Sequence, residues 1–233
     1  MANVLDQAID TLDFETTKVV ISREKIINYF AKFTQFLTWP FLYVVFNLFF
    51  KISIRGQDVF ERTENPFIII ANHTSFYDSF LFRLILGLFT NHLPLRFMAV
   101  NSFESSTMNL LAKIGLVDFV YSLFGVFTVT PGLGIDRNLK KAKHIISLGG
   151  NIVIYPEGRI IRDGIIGPFK NGSAVLYKET NVDVIPVSIK KMKRSYFRPQ
   201  IFINVGNRIE ISKTRSVEEI TKQFRNTIVM LNK

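Results

Sequence analysis

Two short stretches hold side chains that can move a proton or grip an anion. The first is N-H-T-S-F-Y-D, which places His73 and Asp78 five residues apart. Histidine is the usual general base near neutral pH, and it needs a partner to fix its tautomer. A turn between the two would let Asp78 hold the imidazole and stabilise the imidazolium, the part an aspartate plays in a hydrolase triad. The second stretch is Y-P-E-G-R-I, Tyr155 to Ile160. Pro156 and Gly158 mark a sharp turn. Glu157 reads as a site carboxylate or as a plain loop charge. Arg159 and Arg162 could bind a phosphate through their guanidinium forks. A third feature is Pro186 within the apolar run V-I-P-V-S-I, which reads as an edge or bulge near a site, or as a strand boundary.

Other chemistries are excluded by what the chain lacks. There is no Cys, so disulfides, thiolate metal ligands and Cys nucleophiles are ruled out. The three histidines are His73, His92 and His144. His92 reads as a loop residue and His144 lies on a Lys-rich helix, and no cluster has metal-ligand spacing. There is no G-x-S-x-G elbow, and G-L-G at 132–134 lacks the third glycine of a dinucleotide fingerprint.

Both reactive stretches directly follow apolar runs, P-F-I-I-I-A and N-I-V-I-Y, that read as buried strands. Strand ends in open α/β sheets are where ligands bind. From Lys51 onward strand and helix patterns alternate. Further strands are expected at K-I-S-I-R-G, R-F-M-A-V, V-F-T-V, V-D-V-I-P-V-S-I, I-F-I-N-V-G and R-I-E-I-S. Helices are expected at 75–89, across most of 103–124, from an Asp136 N-cap to Gly149-Gly150, and near 172–180. Ser216 and Glu219 form a capping box for a last amphipathic helix. The pattern predicts an α/β fold: a mixed, largely parallel sheet flanked by helices, spanning 51–233 without a linker.

Residues 1–50 differ. Residues 1–22 read as a polar, weakly helical tail, and 24–39 as an amphipathic helix with Ile26, Phe30, Phe33 and Leu37 on its apolar stripe. Pro40 breaks or restarts it, and F-L-Y-V-V-F-N-L-F-F follows. About ten apolar residues fall short of the ~20 needed to span a bilayer. The segment reads as a helix pair packed on the core or as a membrane element. Of the membrane forms, a hairpin in one leaflet is favoured over a span. The chain is thus divided into 1–50, a tail with membrane-associated helices, and 51–233.

Charge and composition agree with a lipid surface. Of 233 residues 48% are hydrophobic, ample for a core and incompatible with disorder. The net charge is +10, and +14 once the acidic first 17 residues are set aside. Such a body favours anionic partners: lipid headgroups, phosphates, acidic proteins or nucleic acid. The run Lys190, Lys191, Lys193, Arg194, Arg198 reads as a solvated face or as a dock for an acidic carrier protein, and no nucleic-acid motif accompanies it. The polar, acidic start is not a secretory signal, so the cytoplasmic face of a membrane is the expected location.

Taken together, N-H-T-S-F-Y-D, G-V-F-T-V-T-P-G, Y-P-E-G-R-I and V-I-P-V-S-I, with R-D-G-I-I-G-P-F-K-N-G-S between the last two, resemble the glycerolipid (lysophosphatidic acid) acyltransferase family over residues 51–211. The resemblance implies acyl transfer from acyl-CoA or acyl carrier protein to a lysophospholipid hydroxyl, 1-acyl-glycerol-3-phosphate giving phosphatidic acid. His73 would be the base and Asp78 its partner. Glu157, Gly158, Arg159 and Arg162 would form the acceptor site. Beyond the acyl donor no cofactor is implied, and the partners would be membrane lipid and the donor, not nucleic acid. The family's arginine in the second element would fall near Thr130 or Pro131, with Arg137 as a distant substitute. The family's Thr-Arg pair after P-E-G is here Arg159-Ile160, and Val100 and Asn101 stand where many members have lysine. These departures put the headgroup in play. The alternatives are recycling of another lysophospholipid and a non-enzymatic basic membrane-surface binder.

Overall fold

The apolar runs become the strands β1 (Lys51–Arg55), β2 (Phe67–Ala71), β3 (Leu95–Val100), β4 (Val126–Val129), β5 (Asn151–Ile154), β6 (Asp183–Met192) and β7 (Gln200–Val205). They are seen in a computed structural model that describes residues 2–100, 115–130, 132–192, 198–212 and 214–233. The strands pair in the order β1-β7-β6-β2-β5-β3-β4, and among the described pairings only β6–β7 is antiparallel. β2 and β5 lie side by side at the centre and are buried on both faces, which is why their sequences are continuously apolar. Alternation splits β2: Phe67, Ile69 and Ala71 join one core layer, Ile68 and Ile70 the other.

The helices are α1 (Ala2–Phe49), α2 (Asp78–Ile85), α3 (Leu116–Leu123), α4 (Ile135–Ser147), α5 (Gly172–Thr180) and α6 (Val217–Leu231). Ser216 and Glu219 form the reciprocal cap expected for α6. Three local expectations need correction. Asp136 lies in the first turn of α4, whose N-cap is Gly134. R-I-E-I-S adds no strand, and its tie to β6 is the main-chain bond from Ile209 N–H to Val184 O at 2.8 Å. Pro186 sits within β6, which is flanked by β2 and β7 rather than at an edge. Its carbonyl accepts from Gly206 at the end of the β7 ladder, so its missing N–H falls where that ladder has stopped. The part of the expected 103–124 helix over 103–114, together with Asn101, Pro131, Lys193 and Arg194, lies outside the described residues.

The largest departure is the N-terminus. In place of a hairpin, α1 is one helix that runs straight through Pro40. An interior proline costs ~3 kcal/mol in an isolated helix. Here the inner face of α1 is held from Glu24 to Phe46, on both sides of the proline, which works against that cost. Glu24 pairs with the fully buried Arg96 of β3 at 3.1 Å. Gln35 donates to Leu95 O at 2.8 Å and accepts from Leu95 N–H at 3.0 Å. Ala31 and Phe46 are buried on the same side. The opposite face keeps Phe33, Leu37, Phe41, Val44 and Leu48 exposed, a stripe at helical spacing. No described helix is long and apolar enough to cross a membrane.

Candidate active site

His73 and Asp78 follow the C-terminal end of β2, and Tyr155 to Arg159 follow the end of its neighbour β5. The sheet therefore brings the two reactive stretches together. Asp78, fully buried, begins α2, and its carboxylate organises the turn before it. Oδ2 accepts the main-chain N–H groups of Thr74 at 2.6 Å and Ser75 at 2.7 Å, and faces His73 Nδ1 at 3.1 Å. Oδ1 accepts from Ser75 Oγ at 2.6 Å and Lys191 Nζ at 2.9 Å. Burial by itself would raise the Asp78 pKa. The hydrogen bonds from His73 and Ser75 and the charge of Lys191 outweigh burial and hold it down at about 2. An ionised carboxylate only accepts, so Nδ1 of His73 carries the proton and Nε2 is the basic nitrogen.

Three further groups fix the ring. Tyr155 stacks on His73 with centroids 4.0 Å apart and planes 15° apart, its hydroxyl on Ser79 Oγ at 3.1 Å. Burial pushes the Tyr155 hydroxyl well above its ordinary pKa, so it stays neutral. Asn72 continues the β2 ladder with its side chain, accepting from Ile189 N–H at 2.8 Å and donating to Ile189 O at 2.9 Å. Glu157 is buried, and both its oxygens are taken: Oε2 by His73 N–H at 2.7 Å, Oε1 by Gly167 N–H at 2.9 Å. Burial raises its pKa, against the pull of those two N–H groups.

Gly158 takes φ +64°, and a Cβ there would stand 2.6 Å from Lys170 Nζ. The left-handed backbone there favours glycine, and a side chain would also have to displace the end of the lysine. His73, Gly158, Arg159, Arg162 and Lys170 line one cavity of about 1430 Å³. Its cationic lining is Arg83, Arg159, Arg162 and Lys170. Its apolar wall includes Phe80, Phe97, Val120 and Val129. Among the described residues no carboxylate pairs with Arg159 or Arg162. Arg137 is exposed on α4 and is not part of the cavity lining. His92 bonds Asn65 and Phe60 O away from the cavity lining. No described cluster could hold a metal ion.

Sequence reasoning missed Asn72, Tyr155 and Lys191 as parts of the site. The signal for Lys191 was there in the two-residue period of β6. Ile189 is buried against the layer that holds α2, so Lys191 shares its face, while Lys190 points the other way and bonds Asn232 O at 3.0 Å.

A basic nitrogen oriented by a buried carboxylate, in a cavity lined by both cationic and apolar side chains, is suited to taking a proton from a hydroxyl on an amphiphilic anion. Comparison with known proteins identifies the family. The family model described as Acyltransferase matches residues 51–190. The chain is 25% identical over 165 residues to a chloroplastic 1-acyl-sn-glycerol-3-phosphate acyltransferase of Brassica napus, covering 70% of this chain and 44% of that one. It is 26% identical over 195 residues to the 1-acyl-sn-glycerol-3-phosphate acyltransferase of Borreliella burgdorferi, covering 77% and 70%. The crystal structure of the 1-acyl-sn-glycerophosphate acyltransferase PlsC from Thermotoga maritima superimposes with a TM-score of 0.60 at 24% identity, over 93% of this chain and 87% of that one, a likeness of fold. The chain spans less than half the length of the chloroplastic relative.

Proposed function

The chain belongs to the acyltransferase family, and from that premise we propose that it acylates the free hydroxyl of a lysophospholipid, using acyl-CoA or acyl carrier protein as donor. The acceptor we favour is 1-acyl-glycerol-3-phosphate, which gives phosphatidic acid. The observation that carries this is the His73–Asp78 contact of 3.1 Å beside a cavity that Arg159 and Arg162 also line, neither with a carboxylate partner among the described residues.

In this reading Nε2 of His73 takes the hydroxyl proton as the oxygen attacks the thioester carbonyl. The tetrahedral intermediate then expels the thiolate, which recovers the proton from His73, so no protein nucleophile is needed. Asp78 holds the ring and offsets the imidazolium charge. Arg159 and Arg162 grip the acceptor's phosphate, and acyl chains lie along the apolar wall. Glu157 serves by holding the His73 backbone, since both its oxygens are occupied. The exposed apolar stripe of α1 lies on the lipid surface that supplies the acceptor.

The test is to incubate the purified full chain with a panel of lysolipids and both donor classes and to identify products by mass. Phosphatidic acid as the main product supports the reading. Acylation of a different headgroup alone would reassign the acceptor, and no acylation from any pair would sink it.

A further inference from the structure

β6 is longer than its neighbour β2. It pairs with β2 only from Asp183 to Val187, and its last residues pass beyond the end of β2 beside the His73–Asp78 turn. Lys191 rides on that extension. Its Nζ is 2.9 Å from Asp78 Oδ1, also reaches Ser75 Oγ, and sits 4.0 Å from the centre of the Tyr77 ring. The side chain is 23% exposed and the carboxylate it meets is fully buried. Oδ2 takes the imidazole and the two main-chain N–H groups of the turn, while Oδ1 takes the ammonium together with the hydroxyls of Ser75 and Thr74.

We infer that Lys191 is a positioning residue for the His73–Asp78 pair, turning Oδ2 toward the imidazole and placing a positive charge that makes the pair harder to protonate. This rests on the reading of His73 as the general base. The charged and titratable groups around the pair are Lys191 from β6, Tyr77 from the turn, and Tyr155 and Glu157 from the segment after β5. Arg83 of α2 and Arg159, Arg162 and Lys170 line the same cavity. Of these, Lys191 is the cation in direct contact with Asp78, and its charge adds to the larger effects of the His73 and Ser75 hydrogen bonds in holding that carboxyl down. A cation at this range shifts a neighbouring titration by about one unit when partly screened.

The experiment compares the full-length wild type with Lys191→Met and Lys191→Arg. In Lys191→Met the acid limb of kcat/KM should move up by about half a unit to one unit. Its kcat should fall about tenfold while the acceptor KM stays within about twofold, as for loss of a charge-assisted contact felt in the transition state. Lys191→Arg should restore both. In parallel, the His73 imidazole is titrated by NMR in histidine-labelled protein, assigned by the signal absent from His73→Gln. Its midpoint should move up in Lys191→Met. An unmoved acid limb with an unmoved NMR midpoint would overturn the proposal. So would a Lys191→Met chain that does not fold, since the role would then be structural. The two readings fail separately: a wild type with no transferase activity removes the functional reading, and the NMR titration still decides Lys191.

Discussion

The main-chain N–H of His73 donates to Glu157 Oε2 at 2.7 Å, across 84 residues of sequence. The same carboxylate accepts Gly167 N–H, and Ile161 N–H returns to His73 O at 2.8 Å. The two reactive stretches are therefore one hydrogen-bonded unit. A carboxylate that looks available for substrate in the sequence is spent on the scaffold.

Glu157→Gln should accordingly behave as a scaffold lesion. One of two buried N–H groups would face an amide NH2 in place of an acceptor, costing about 1–3 kcal/mol. Thermal unfolding should show a drop of several degrees, and kcat should fall with little change in acceptor KM. A selective rise in acceptor KM at unchanged stability would return Glu157 to the substrate.

His73→Ala should abolish transfer by roughly 10²–10⁴-fold without unfolding the chain, because the ring is at the cavity wall. Asp78→Asn should lose a similar factor and be less stable as well. Its carboxylate orders Thr74 and Ser75 and neutralises Lys191, and an amide cannot accept all of those donors. Kinetics beside denaturant unfolding of both variants separates the two effects.

The pH dependence has a defined sign. Folding lowers the Asp78 pKa from its ordinary 3.8 to about 2. The ionised form is favoured by the fold, so its contribution, about 2 kcal/mol, is present above pH ~4 and disappears as the pH falls through ~2. Glu157 acts oppositely: its raised pKa means that ionising it costs stability as the pH rises through its range. Unfolding free energies measured between pH 5 and pH 2 should therefore drop more steeply in wild type than in Asp78→Asn.

Arg159→Ala should raise the acceptor KM about tenfold or more and leave the donor KM near its wild-type value, the loss of one charged hydrogen bond at ~1.5–3 kcal/mol. Arg137→Ala should leave both unchanged, since Arg137 does not line the cavity. Initial-rate measurements with each substrate varied in turn settle which arginine holds the phosphate.

Deleting residues 1–50 is too blunt to test membrane binding, because it would strip Glu24 from buried Arg96 and open the core at Phe46. Polar replacement of Phe33, Leu37, Phe41 and Val44 leaves the inner face intact. This variant should fold, leave vesicles, and lose activity on bilayer acceptor more than on detergent-dispersed acceptor. High salt should not release the wild type, since apolar burial is not screened. Its quantitative release by salt would show that charge alone holds it there.

Short-range features were readable from neighbouring residues alone. β2 and β5 were legible because strands buried on both faces are continuously apolar. The reactive motifs were legible because they follow those strands directly, and the α6 cap because its two bonds join residues three apart. Tertiary structure decided everything that depends on elements distant in the chain. Proline at position 40 signals a break, yet α1 continues, because Arg96 and Leu95 of β3 hold its inner face. A lysine in a basic run signals a solvated face, yet Lys191 meets Asp78, because β6 outruns β2 and its pleat turns that residue inward. Glu157 signals a site acid, yet it binds the backbone. Local propensity is set by neighbours in sequence, whereas a side chain's partner is set by strand order and register, which no short window contains.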